Sequence, residues 1–166
     1  MEIKTIKSTS LDTLIQLYDM HSGFFQNVID GISEKDAQNR LNTIANHVAW
    51  IAGSIVNQRY EIARVSGVEI RNDSHDFFKD FQGIKDGVKY PALSQFLSEW
   101  NAITPLLKEI LINLNDDQLH GPDPFKMPGG EYSFLDSLTF MIDRESYCIG
   151  QIGLYRRLLG YEAMKY

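Results

Sequence analysis

The sequence predicts an all-α fold, a four-helix bundle with long crossover connections. Three observations carry this. Four long segments repeat apolar residues every three or four positions, the spacing that lines one face of an α-helix. No segment alternates apolar and polar residues as a half-buried strand would. The segments are joined by long connections rather than tight hairpin turns, as in bundles with crossovers.

The first helix is predicted over about Ser10 to Ile29, with Leu11, Leu14, Ile15, Tyr18, Phe25, Val28 and Ile29 on its apolar face. Thr9 followed by Asp12 is a start signal, because a carboxylate favours the positive end of the helix dipole. Gly31 is a stop. Ser33 and Asp36 repeat the start signal ahead of a short polar helix or turn. The second helix is predicted over about Leu41 to Val65, with Leu41, Ile44, Val48, Ile51, Ile55 and Ile62 in one stripe and Gly67 at its end. The third spans about Pro91 to Leu114. Its stripe keeps its phase across Pro105, so one kinked helix is expected rather than two. The fourth runs from about Ser133 to Leu159 and is closed by Gly160. The connections from Val68 to Tyr90 and from His120 to Glu131 contain aromatics expected to pack on the helices.

The 166 residues fit one domain, 1–166. With 43% hydrophobic and 23% charged residues the composition is globular, not disordered. Sixteen Lys and Arg against 22 Asp and Glu leave a net charge of -6, which argues against a nucleic-acid or anionic-membrane partner. Cys148 is the only cysteine, so no intrachain disulfide forms, and a reducing, cytoplasmic compartment is the simplest reading. The run from Met1 to Lys7 has no apolar signal-peptide core. No stretch approaches the roughly 18 apolar residues of a membrane span.

Chemistry-bearing residues fall on the second and fourth helices. Met141, Arg144, Cys148, Gln151, Ile152, Tyr155 and Leu159 share one face of the fourth. Arg144 thus sits in an otherwise core-facing stripe. It must find a carboxylate or an acceptor cluster, or else slant to a wet bundle end. On the second helix His47, Ser54, Gln58 and Glu61 form a polar stripe bordered by Trp50, either a wet edge or part of a site. Cys148 lies one turn after Arg144, whose charge favours a thiolate; the competing reading is a small buried hydrophobe. No two of His21, His47, His75 and His120 stand at the helical spacing that lets two imidazoles reach one ion. HExxH, CxxC, GxSxG, P-loop and Rossmann glycine patterns are absent.

The run Asn46-His47-Val48-Ala49-Trp50-Ile51-Ala52-Gly53-Ser54 resembles the second-helix motif of the DinB-like superfamily. The run from Arg144 through Cys148, Gly150, Gln151, Gly153 and Tyr155 to Gly160 resembles its fourth-helix motif. Asp76 to Pro91 and Pro128-Gly129-Gly130 also sit where the family has such residues. The resemblance implies a four-helix bundle with a site between helices. Typical members hold zinc or nickel there through three histidines: one after the second-helix glycine, two as an HxxxH pair in the fourth helix. Carried over, those positions are Ser54, Arg144 and Cys148, so all three histidines are missing and no metal cofactor is expected.

On this resemblance Arg144 places a fixed positive charge where a metal ligand stands. It serves as an ion-pair centre, with Glu61 as a distant partner, or as an anion anchor. The expected pocket is lined by Ser54, Arg144 and Cys148 with His47 and Tyr147, and suits a small anionic ligand. The expected function is therefore non-metal small-ligand binding or a non-catalytic role. The alternative is a metal- or thiol-dependent transferase or hydrolase of the DinB type with a relocated site. The resemblance also suggests a homodimer, and an interaction protein is the third reading.

Overall fold

The computed structural model describes residues 7–166; residues 1–6, where the sequence shows no signal-peptide core, lie outside it. Among the described residues the fold is all-α, with no strand and only an isolated antiparallel bridge between Pro122 and Ser133. The helices are α1 (Asp12–Ile29), α2 (Glu34–Ala37), α3 (Val48–Val65), α4 (Leu93–Asn113), α5 (Asp116–Leu119) and α6 (Phe134–Leu158). α3 packs against α4 and α6, and α1 packs against α6 and α4, which closes a ring around the apolar core. No helix of the described residues is long and apolar enough to cross a membrane.

Most predicted boundaries match their chemistry. The Ser33 hydroxyl accepts from the Asp36 amide at the start of α2. Ser133 and Asp136 form a reciprocal capping box at the start of α6. α4 runs through Pro105 as one helix. Gly67 (φ 95°) and Gly160 (φ 89°) take the left-handed conformation that ends α3 and α6. The start of α1 differs from expectation. Ser8, not Thr9, caps a 3-10 turn at Thr9–Leu11 that leads into the helix.

The largest correction concerns the second predicted helix. It begins at Val48, not near Leu41. Leu41 and Asn42 are left-handed (φ 55° and 57°), and Ile44 is 94% exposed rather than part of a stripe. The physical reason is local competition for backbone groups. The Asn39 carboxamide oxygen accepts from the Leu41 amide at 2.8 Å, and the Thr43 hydroxyl accepts from the Ala45 amide at 3.1 Å. The guanidinium of Arg40 donates to the carbonyls of Ala45 and Ile44. The helix then starts where His47 Nδ1 accepts from the Trp50 amide at 3.1 Å.

The long connection between α3 and α4 is held by one buried carboxylate. Glu99 on α4 accepts from the Ser74 backbone amide (3.1 Å), the Ser74 hydroxyl (2.6 Å), Asn72 Nδ2 (3.1 Å) and Gln95 Nε2 (3.1 Å). This anchor lets Phe78 pack into the core, where its ring meets Phe96 edge-on at 6.0 Å. Phe78 and Tyr90 are buried as expected of the connection's aromatics, but Phe81 is not: it is 78% exposed.

Candidate functional site

The facing sides of α3 and α6 carry two polar layers. In the outer layer Gln58 donates to the Met141 carbonyl at 2.8 Å, while its side-chain oxygen accepts from Arg144 Nη1 at 2.9 Å. Arg144 Nη2 donates to the Ser54 hydroxyl at 2.6 Å. The two bonds fix the guanidinium plane and use two of its five N–H groups. Both partners are neutral. Among the described residues no carboxylate forms an ion pair with Arg144. Glu61, expected as a distant partner, instead pairs with Arg64 at 2.9 Å and lies 3.3 Å from His75 Nδ1.

Half-buried Arg144 lines a pocket of about 220 Å³ together with Trp50, Ser54, Gln58, Phe81 and Phe140. The wall contains an orphan: Trp50 Nε1 is buried and has no acceptor among the described residues.

Cys148 and Tyr147 lie in an adjoining recess that Arg144 and Trp50 also line. Tyr147 is 68% exposed on its rim. Cys148 is buried, and burial pushes its thiol above the ordinary value. Glu145 adds to that rise, and the Arg144 charge offsets only part of it. The hydrophobe reading therefore fits Cys148 better than the thiolate reading. Alkylation by iodoacetamide near neutral pH is expected to run at least ~10-fold slower than for an unstructured cysteine peptide. A rate equal to the peptide's would show an accessible, ionised thiol.

His47 is not brought to this site. It caps α3, packs edge-on against Tyr90 at 5.3 Å, and lines a separate surface depression with Gln38 and Arg40. Burial lowers its pKa and the Arg40 charge adds to that, together outweighing a backbone hydrogen bond that raises it. The ring is thus kept neutral, as an acceptor at Nδ1 must be.

The inner polar layer joins residues that periodicity alone does not connect. Arg59 is fully buried and bidentate to Glu145, with Nε–Oε1 2.6 Å and Nη2–Oε2 2.7 Å. Its Nη1 donates to the hydroxyls of Ser22 (3.0 Å) and Thr104 (2.8 Å). The guanidinium is stacked between the rings of Trp100, 3.4 Å from its centroid, and Tyr18, 3.9 Å away. His21 Nδ1 stands 3.5 Å from Glu145 Oε2 without a hydrogen bond. One sequence signal pointed here: Arg59 lies four after Ile55 and three before Ile62, inside the predicted apolar stripe.

The residues at the ligand positions that the resemblance implies do not fit a divalent metal. Arg144 presents donors, Ser54 is engaged by it, and Cys148 is held as a thiol. Among the described residues no group of three or more His, Cys, Asp or Glu side chains is placed to hold one ion. No family model matches the chain, and no curated protein matches it.

Proposed function

We propose that the chain is a DinB-like four-helix bundle that binds small carboxylate anions at Arg144 instead of a metal, without catalysing a reaction. The observation that carries this reading is the state of Arg144. Its guanidinium is oriented by two neutral acceptors, faces a pocket, and forms no ion pair among the described residues; Glu61, the carboxylate that lines the same pocket, is paired with Arg64. A half-desolvated cation with free N–H groups attracts a bidentate oxyanion. The two segments that carry the family resemblance supply the opposite walls, Ser54 from α3 and Arg144 from α6. The competing thiol chemistry needs Cys148 as a thiolate, which burial disfavours.

Two measurements test the reading. Acetate is expected to raise the melting temperature of the wild-type chain, with a shift that grows as the logarithm of its concentration. Arg144→Met should abolish that shift. Equal shifts in both proteins, or a large gain in stability for the variant with no loss of binding, defeat the anchor. Elemental mass spectrometry after incubation with zinc and nickel should find less than one metal per chain. A full equivalent that survives dialysis returns the metal-dependent enzyme to first place.

A further inference from the structure

The pocket at Arg144 is small. About 220 Å³ lies below the roughly 300 Å³ at which small-molecule sites usually begin. It does not stand alone. Phe81, Phe140 and Met141 line it and also line a second cavity of about 510 Å³, whose other walls include Phe125 and Tyr132. Taken together the two spaces fall well within the range of ligand sites. Their chemistry is graded. Arg144, Ser54 and Gln58 are polar at one end, and the far cavity is walled mainly by aromatic and thioether side chains, with Pro128 and a single carboxylate, Asp136.

Two further features mark the apolar end. Phe81 and Phe140 are 78% and 55% exposed, so large rings face water at the junction of the two cavities. An exposed apolar patch of this kind marks a binding surface more often than an isolated surface leucine does. The backbone holds Phe81 there at a cost, whereas Phe140 is carried by α6. Phe81 and the preceding Asp80 are both left-handed (φ 54° and 56°). So is Lys126 (φ 52°), between Phe125 and Met127 on the opposing loop. Left-handed non-glycine residues are uncommon and gather at ligand clamps.

We propose that a monocarboxylate with an apolar tail binds across the two adjoining cavities, its carboxylate on Arg144 and its tail running across Phe81 and Phe140 towards Phe125. The proposal rests on the reading of Arg144 as an anion anchor and names the ligand class. A second carboxylate on the tail is disfavoured because Asp136 lines the far cavity. Hydrogen bonds from the Ser133 hydroxyl and amide hold Asp136 below the usual carboxylate range, so it is negative at neutral pH. In the near pocket Glu61 is the other acid, and Arg64 and His75 face its charge.

The experiment is calorimetric titration of the full chain with acetate, octanoate, octanamide and octanedioate at one pH and salt. Each buried methylene is worth roughly fourfold in affinity, so octanoate should bind at least ~10-fold tighter than acetate. Octanedioate should bind more weakly than octanoate. Arg144→Met should weaken octanoate ~10-fold and leave octanamide unchanged. Tyr132→Ala, at an exposed position that lines the far cavity and not the pocket at Arg144, should weaken octanoate ~5-fold and leave acetate unchanged. Octanoate no tighter than acetate, with both still lost in Arg144→Met, overturns the tail site and leaves the anion anchor standing. Octanamide as tight as octanoate, with no effect of Arg144→Met, overturns the anchor and the proposal together.

Discussion

Replacing Glu145 with glutamine is expected to lower the unfolding free energy by about 3–5 kcal/mol, because it leaves the Arg59 charge buried and unpaired. Arg59 is 0% exposed and Glu145 1%, so solvent cannot take over the lost interaction. The two aromatic faces of Tyr18 and Trp100 offer only partial compensation. Urea denaturation reads the effect directly. A double variant, Arg59→Met with Glu145→Leu, should recover most of the loss, since removing both charges also removes both desolvation penalties. A loss below about 1 kcal/mol for Glu145→Gln would show that the pair is not held as described.

The same pair sets an acid limit. Burial raises the Glu145 pKa, but attraction and hydrogen bonding from Arg59 outweigh it. The net value lies below the ordinary 4.5. A carboxylate whose pKa is depressed by folding stabilises the fold fully above its unfolded value. That contribution is lost as pH falls through the folded one. Stability of the wild-type chain should therefore begin to fall as pH drops below 4.5, with the loss completed at lower pH. Glu145→Gln should show a shallower acid slope.

Gly53→Val is expected to cost about 3 kcal/mol or more, at the upper end of overpacking effects. A Cβ at Gly53 would lie 2.2 Å from Phe78 Cζ and 2.6 Å from Phe96 Cζ. Neither ring can step aside easily, because Phe78 is packed from the connection and Phe96 from α4, both in the core. The effect should reach the pocket as well as the core. Phe78 and Trp50, whose rings are 6.3 Å apart, both line the space beside Arg144. A variant that melts like wild type would mean that this contact is looser than it stands here.

The four long helices were legible because their apolar periodicity is a backbone-scale signal, repeated over many turns. The false start at Leu41 arose where Asn39 and Thr43 capture backbone amides that a helix would need, which periodicity does not see. Ser54, Arg144 and Cys148 were legible as a group from the two segments carrying the resemblance, and the structure places all three along one side of α3 and α6. His47 read as a helix-face residue because the helix had been started too early; as a cap it turns away. Arg144 was expected in the core stripe, yet it is its neighbour Glu145 that is fully buried. A partner 86 residues distant in sequence is a tertiary fact, and so is Phe81 reaching the pocket from a connection.

The paired layers on α3 and α6 also bear on which packings the chain rejects. Apolar helix faces tolerate sliding by one turn, about 5.4 Å, because one leucine-like side chain replaces another. Here such a slip would set Arg59 against Met141 and Ile142, or against Cys148 and Ile149, instead of Glu145. A guanidinium stranded among those side chains has no partner, and Glu145 is stranded at the same time. The buried pair thus acts as a key between the two helices. It adds little to the stability of the native alignment over an all-apolar core, and it makes each misaligned alternative several kcal/mol worse. Held in that single alignment, Ser54 and Gln58 arrive opposite Arg144, so the shape of the surface pocket is decided by a contact that solvent never reaches.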